Sequence, residues 1–272
     1  MAKIAFGEGH LKLSSNREKF KGQTMDESEN EMWSRIEKLA SGSQAGGLTT
    51  LDLAALKYVL NHRINHEPAS PRQIIDAFHK QYYDSQVWSK TWWKGTPLLK
   101  CPMDLWIYQE IIHATQPDLI IETGSFRGGS AFYMAELLGG KGIVISIDIQ
   151  TWDRTSHKDV VFLQGSSIDP AVIDQVKTIA GNHKRIMVIL DSDHSRDHVL
   201  AELQTYAMMV TPGCYLIIED TNINGRPVFK EHGPGPAEAR EAFMLTAPPF
   251  SIDASMEKFG MTFNPGGYLK RN

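Results

Sequence analysis

Five acidic residues stand where apolar runs end. Glu122 follows Leu119–Ile121, Asp148 follows Ile143–Ile147, Asp191 follows Ile186–Leu190, and Glu219-Asp220 follows Tyr215–Ile218. Asp191, Glu219 and Asp220 close the fourth and fifth of a series of strands. Carboxylates brought that close repel unless a cation lies between them. A ligand set made of oxygens suits Mg²⁺; the plain alternative is a solvated acidic rim. The segment Asp191-Ser-Asp-His-Ser195 puts His194 beside that set. An imidazole there is either a hydrogen-bonded structural group or a base that takes a proton from a hydroxyl.

A glycine turn precedes Asp148. In Glu122-Thr-Gly-Ser-Phe-Arg-Gly-Gly-Ser130, three glycines let the chain turn sharply and pass close to a ligand. Asp148 lies about one βαβ unit further on, where an acid in nucleotide-binding folds accepts hydrogen bonds from ribose hydroxyls. The competing readings are an ordinary βα turn and a solvated strand end. The spacing Glu-x-Gly-x-x-x-Gly-Gly departs from Gly-x-Gly-x-x-Gly, so the pyrophosphate cradle of nicotinamide folds is not matched. None of the eight tyrosines has a lysine four residues on, the spacing of a common reductase pair. Both points favour an adenosyl ligand without a diphosphate.

These residues need a parallel sheet to bring them to one rim. The apolar runs show little polar alternation, as expected of strands covered on both faces. The strands read as Leu119–Ile121, Ile143–Ile147, Val160–Leu163 (ending at Gly165-Ser-Ser167), Ile186–Leu190 and Tyr215–Ile218. Helices read over 131–138 (stopped by Gly139-Gly140), after Pro170, and over 197–210. Strand and helix alternating in this way predict a doubly wound α/β sheet. Beyond it, 236–245 reads as a helix and Phe250–Ile252 and Phe259–Phe263 as strands of an added antiparallel hairpin at the sheet edge.

Ahead of the sheet, a helix is expected over 103–114. Another opens at Ser70 as N-cap with Pro71 in its first position. Trp88, Trp92 and Trp93 either lid a pocket or pack this preamble on the main domain. Helices around 29–39 and 51–61 and a linker at 40–47 complete an N-terminal arm and helical cap, 1–100, before the main domain, 101–272.

Composition narrows the class. A net charge of −4 over 272 residues gives no general attraction to nucleic acid. Two cysteines, Cys101 and Cys214, make neither a disulfide framework nor a zinc site, in keeping with a reducing compartment. The first residues lack the apolar core of a signal peptide and no run approaches the length of a membrane span, so a cytoplasmic location is expected.

From about Trp92 onward the chain resembles the family of cephalosporin hydroxylases that includes rhamnosyl O-methyltransferases. The likeness is carried by Pro102-Met-Asp-Leu105, Ile120–Ser130, Ile147-Asp148, Gly165-Ser-Ser-Ile-Asp169, Leu190-Asp-Ser-Asp-His194, Ile218-Glu-Asp220, Gly233-Pro-Gly-Pro236 and Thr262-Phe-Asn-Pro-Gly-Gly-Tyr-Leu269. It implies a Rossmann-like methyltransferase using S-adenosylmethionine and often Mg²⁺. On that likeness Glu122 and Gly124 line the methionine and ribose side, with Ser125 and Ser130 in the same turn. Asp148 holds the ribose, and Ser166 and Ser167 sit near the adenine. Asp191, Glu219 and Asp220 bind Mg²⁺, Asp191 serving the cofactor and the chemistry as well. His194 falls where catechol-type relatives place a catalytic lysine. The expected partner is a small-molecule or glycan acceptor such as a deoxysugar. A homo-oligomer is compatible with the arm and hairpin. A nicotinamide-dependent oxidoreductase and a non-catalytic binding partner are the alternatives.

Overall fold

The computed structural model describes residues 70–154 and 156–272, so the expectations for the arm, the linker and the helices at 29–39 and 51–61 lie outside the described residues. The described chain opens with α1 (Pro71–Asp84). Its start is the one the sequence signals: Ser70 Oγ accepts from the Gln73 amide, and Gln73 Oε1 accepts from the Ser70 amide at 2.8 Å. This reciprocal cap satisfies two amides that a helix end leaves free.

A two-stranded ribbon follows, β1 (Thr91–Trp93) and β2 (Thr96–Leu98). Lys94 and Gly95 turn it with positive φ at both positions, the backbone that matches strand twist in a tight hairpin. Trp93 packs edge-on against Tyr133 and its indole donates to Glu136. Trp88 joins an aromatic cluster around Phe263, and Trp92 stays exposed. The tryptophans at 88 and 93 therefore pack the preamble onto the sheet domain.

The main sheet begins after α2 (Pro102–Thr115). Its elements are β3 (Leu119–Thr123), α3 (Gly129–Leu138), β4 (Ile143–Asp148), β5 (Val160–Gln164), α4 (Pro170–Ala180), β6 (Ile186–Leu190), α5 (Arg196–Tyr206) and β7 (Tyr215–Ile218). After it come α6 (Pro236–Met244), β8 (Phe250–Ile252) and β9 (Tyr268–Arg271). The strand order is β5-β4-β3-β6-β7-β9-β8, with the first five parallel. Successive residues of β3 supply opposite cores. Leu119 and Ile121 pack with Val172, Val199 and Leu203 on one side, and Ile120 packs with Ile107, Ile111 and Met134 on the other. That two-sided burial is why the strands carry unbroken apolar runs.

Three features depart from the expected pattern. The described residues between β4 and β5, 149–154 and 156–159, include no helix, and Gln150 and Trp152 turn back to bond Asp148 at the end of β4. The long helix ends at Tyr206 and gives way to a 3₁₀ turn over Ala207–Met209. The expected strand Phe259–Phe263 is a loop, and the antiparallel partner of β8 is β9. Asp104 explains the loop, because its carboxylate accepts from Thr262 Oγ1 and the Phe263 amide, which pulls that backbone off the sheet. β9 also pairs antiparallel with β7, so it lies inside the sheet and β8 takes the edge.

Candidate active site at the switch point of the sheet

The strand order reverses between β3 and β6, and in such sheets ligands bind outside the carboxyl ends at that point. Gly124 shows how closely the two strand ends meet. Its φ is +87°, and a Cβ there would lie 1.8 Å from the Asp191 carbonyl oxygen. Only glycine lets the turn after β3 pass under the start of the β6 loop. On β3, Glu122 is wholly buried. Its Oε2 accepts from Ser146, and Ser146 also reaches Ser125 at 2.8 Å. Burial pushes the Glu122 carboxyl up, with Lys100, Ser130 and Ser146 pulling the other way. Its Oε1 has no hydrogen-bond partner. A buried acceptor left open suits a ligand that brings a cationic or N–H donor.

Asp148 closes β4 and is well occupied. It accepts from the amides of Phe126 and Gln150, both at 2.8 Å, and from the Trp152 indole at 3.1 Å. Arg154 approaches it at 3.7 Å. Trp152 stacks edge-on with Phe126 across the mouth of the glycine turn. Of the two serines after β5, Ser166 is partly exposed. Ser167 is buried and donates to Glu202 Oε1 on α5, which also accepts from Ser192.

The acids on β6 and β7 converge as expected, but unequally. Asp191, His194 and Asp220 each offer a ligand atom, all within 4.8 Å of one another. His194 Nε2 lies 3.3 Å from Asp191 Oδ1 and 3.3 Å from Asp220 Oδ2. Burial opposes a charged His194, but Asp220 and Asp191 outweigh it and raise its pKa to about 9. Burial and the Asp191 charge push Asp220 up, with His194 between them pulling it down. This oxygen-rich, mutually repelling set with one imidazole fits a hard divalent cation. Asp220 holds a left-handed backbone at φ 53°, and its amide donates to Asn264 Oδ1, which fixes that turn. The His194 carbonyl and His232 Nδ1 both border Gly235, and His232 pairs edge-on with the exposed Phe229.

Glu219 faces a different group. Lys100, just before α2 and buried to 2% of its side chain, donates to Glu219 Oε1 at 2.5 Å and to Asp191 Oδ2 at 2.7 Å. Tyr108 donates to the same Glu219 oxygen at 2.6 Å. Burial and Asp191 raise the Glu219 pKa to about 8, against the pull of Lys100. Burial disfavours the Lys100 ammonium, but Asp191, Glu219 and Glu122 more than offset it, and it stays protonated. Sequence reasoning missed Lys100 and Tyr108, since nothing near them in the chain marks them as partners of residues 91 and 111 positions away. The Asp104 and Asn264 scaffold did have a signal, in the segments Pro102–Leu105 and Thr262–Leu269.

A doubly wound sheet with a reversed strand inserted beside its fifth parallel strand, a glycine turn after β3 and acids along one rim define a Rossmann-like methyltransferase. Comparison with known proteins is more specific. The family described as Rhamnosyl O-methyltransferase/CmcI matches residues 85–272. A rhamnosyl O-methyltransferase of Mycobacterium tuberculosis (strain ATCC 25618 / H37Rv) is 41% identical over 215 residues, 73% of this chain and 85% of that protein. That of Mycobacterium leprae (strain TN) is 40% identical over 207 residues, covering 73% and 90%. Among solved structures, CmcI described with Mg and S-adenosylmethionine shares the fold, with a TM-score of 0.52 over 68% of this chain and 77% of that one at 20% identity. The chain belongs to the rhamnosyl O-methyltransferase/CmcI family and is an S-adenosylmethionine-dependent O-methyltransferase. The oxidoreductase and non-catalytic alternatives fall with that result. Among the described residues no helix is long and apolar enough to cross a membrane.

Proposed function

We propose that this enzyme methylates a hydroxyl of a deoxysugar, rhamnose or a close relative, on a glycoside or natural product, with a divalent cation such as Mg²⁺ in its site. The observation that carries the reading is the cluster of Asp191, His194 and Asp220 at the switch point. The acceptor class follows the mycobacterial relatives, which are described as rhamnosyl O-methyltransferases. The cation follows the donor set, and CmcI, of similar fold, is described with Mg. S-adenosylmethionine supplies an electrophilic methyl group, and a divalent cation supplies counter-charge that lowers the proton affinity of a hydroxyl.

The chain's own residues do the rest. Asp191 and Asp220 would hold the cation. With a cation neutralising Asp191 and Asp220, His194 would shed the proton those acids hold on it, and its Nε2, flanked by both, is the group placed to take the hydroxyl proton as the oxygen attacks. Glu122, with its open oxygen beside the glycine turn, would anchor the amino group of the methionine moiety. Asp148 would take the ribose, with Trp152 and Phe126 closing over it and Ser166 and Ser167 toward the adenine. Holding the acceptor oxygen in line with the methyl is the main task left to the protein.

The test is a turnover assay on a panel of rhamnosides, with S-adenosylhomocysteine affinity measured in parallel by calorimetry. The expected result is Mg²⁺-dependent methylation that His194→Ala lowers by about a hundredfold or more, with S-adenosylhomocysteine affinity unchanged. Turnover unaffected by chelator, or a His194→Ala enzyme as fast as wild type, would overturn the reading.

A further inference from the structure

Glu202, wholly buried on α5, has no part in the account above. Its Oε1 accepts from Ser167 Oγ at 2.5 Å and from Ser192 Oγ at 2.7 Å. Those serines follow β5 and β6, which β4 and β3 keep three strand spacings apart, about 14 Å. One carboxylate oxygen therefore draws together the two loops that flank the ends of β4 and β3, over which the cofactor binds. Apolar side chains stand exposed at the same rim, Ile149 directly after Asp148 and Ile168 directly after Ser167. Such faces suit a purine, with a few fixed polar groups left to select it.

The direction of the hydrogen bonds decides what this cluster can recognise. A carboxylate only accepts, so both serine protons are spent on Glu202. His198 Nε2 lies 3.1 Å from Ser167 Oγ and 3.5 Å from Glu202 Oε1. Glu202 raises the His198 pKa, which keeps a proton on that nitrogen and makes it a donor to Ser167. What remains is all acceptor. Ser192 Oγ, partly exposed beside Asp191, keeps its lone pairs, and Glu202 Oε2 is buried without a partner. Acceptors in want of a donor suit a ligand that brings an N–H.

We propose that Ser192 reads the exocyclic amine of the cofactor's adenine, and that Glu202 is the positioning residue that holds the Ser192 proton away so that its oxygen can only accept. The inference rests on the reading that puts the adenine beside Ser167 and deepens it. A 6-oxo purine would set its carbonyl against the Ser192 oxygen, acceptor against acceptor, with no proton in the cluster free to bridge them. A site built to accept from an N–H rejects the analogue that lacks it, because its acceptors are left unpaired.

The experiment is calorimetry on the intact chain with two ligands, S-adenosylhomocysteine and its 6-oxo counterpart S-inosylhomocysteine. Four proteins are compared: wild type, Ser192→Ala, Glu202→Gln and Ile168→Asp. Wild type should prefer the adenosyl ligand by about a hundredfold or more. Ser192→Ala should lower that preference by about tenfold or more, chiefly by weaker adenosyl binding. Glu202→Gln brings an amide that can donate and frees the serine protons to turn, so the preference should also fall by about tenfold or more, with inosyl binding tightened. A purely structural glutamate would weaken both ligands alike and leave their ratio unchanged. That result would overturn the proposal, and so would a wild type that binds the two equally. If Glu202→Gln fails to fold, Ser192→Ala, at a partly exposed position, decides. Ile168→Asp checks the placement of the purine and should weaken both ligands by about tenfold with the preference kept. If it changes neither, the adenine lies elsewhere and the underlying reading fails with the proposal. If it weakens both while Ser192→Ala and Glu202→Gln keep the wild-type preference, the proposal alone fails.

Discussion

Replacing Asp104 with asparagine changes one atom type in a fully enclosed site. The wild-type carboxylate accepts three hydrogen bonds, from Thr262 Oγ1 at 2.5 Å, Tyr268 hydroxyl at 2.9 Å and the Phe263 amide at 2.9 Å. Burial raises its pKa to about 6 and the three donors pull it down, so it is ionised at neutral pH. In Asp104→Asn one oxygen becomes an NH₂ group: turned one way it meets the Phe263 amide donor against donor, and turned the other way the Thr262 and Tyr268 hydroxyls lose the acceptor for their protons. An unsatisfied buried donor costs about 1–3 kcal/mol, with hydrogen bonds to charged groups toward the upper end. The expected loss is therefore about 2–3 kcal/mol. Asp104→Ala, which strands all three donors, should lose more. Urea unfolding at neutral pH measures both, with an unchanged slope showing that the folded state keeps its compactness. The damage should also reach the chemistry, because Thr262 and Phe263 lead into Asn264, which holds the amide of Asp220. An Asp104→Asn protein within about 0.5 kcal/mol of wild type would refute the hub role.

Two further predictions follow from single contacts. In Gly124→Ala the new methyl meets the Asp191 carbonyl in a left-handed backbone, so the variant should lose about 2–5 kcal/mol and bind metal poorly; denaturation together with Mg²⁺ titration checks both. Burial depresses His79 from 6.5 to about 4 on α1, where the ring is stacked on Phe263 and bonded to Asn222. The unfolded chain binds a proton there that the folded protein refuses. Stability from this group is complete above pH 6.5 and falls by up to about 3 kcal/mol as pH drops to 4; His79→Gln should flatten that part of a stability-against-pH curve.

The parallel part of the sheet was legible because burial on both faces leaves a simple mark, the unbroken run Leu119-Ile-Ile121 and its counterparts. The acids at the strand ends were legible for the same reason, since each interrupts such a run. What escaped depends on contacts distant in sequence. Lys100 sits in Leu98-Leu-Lys-Cys101 with no local signature, and its role exists only once α2 lies against β6 and β7. Phe259–Phe263 has the apolar alternation of a strand, but Asp104, 159 positions from Phe263, takes up its amide. β9 was overlooked because Lys270 and Arg271 make it polar, although Tyr268 and Leu269 are fully buried. The side-chain partners of Glu219 and Asp220 were not legible either: Glu219 accepts from Lys100 and Tyr108, while Asp220, on a left-handed backbone just past β7, faces His194.

The placement of β9 bears on how the chain is made. β8 leaves the ribosome before the strand it pairs with, and its lasting position is the outer edge, one strand away from β7. Until β9 emerges, β7 and β8 each present an open row of amides and carbonyls, and a direct β7–β8 pairing is the nearest trap. Closure requires β9 to slide between them in the reverse direction, with residues 253–267 as the tether. The same segment carries Thr262 and Asn264, so the contacts that secure Asp104 and Asp220 form only when the sheet is closed. Nascent chains short of Tyr268 would therefore carry all five rim acids and still lack a finished active site.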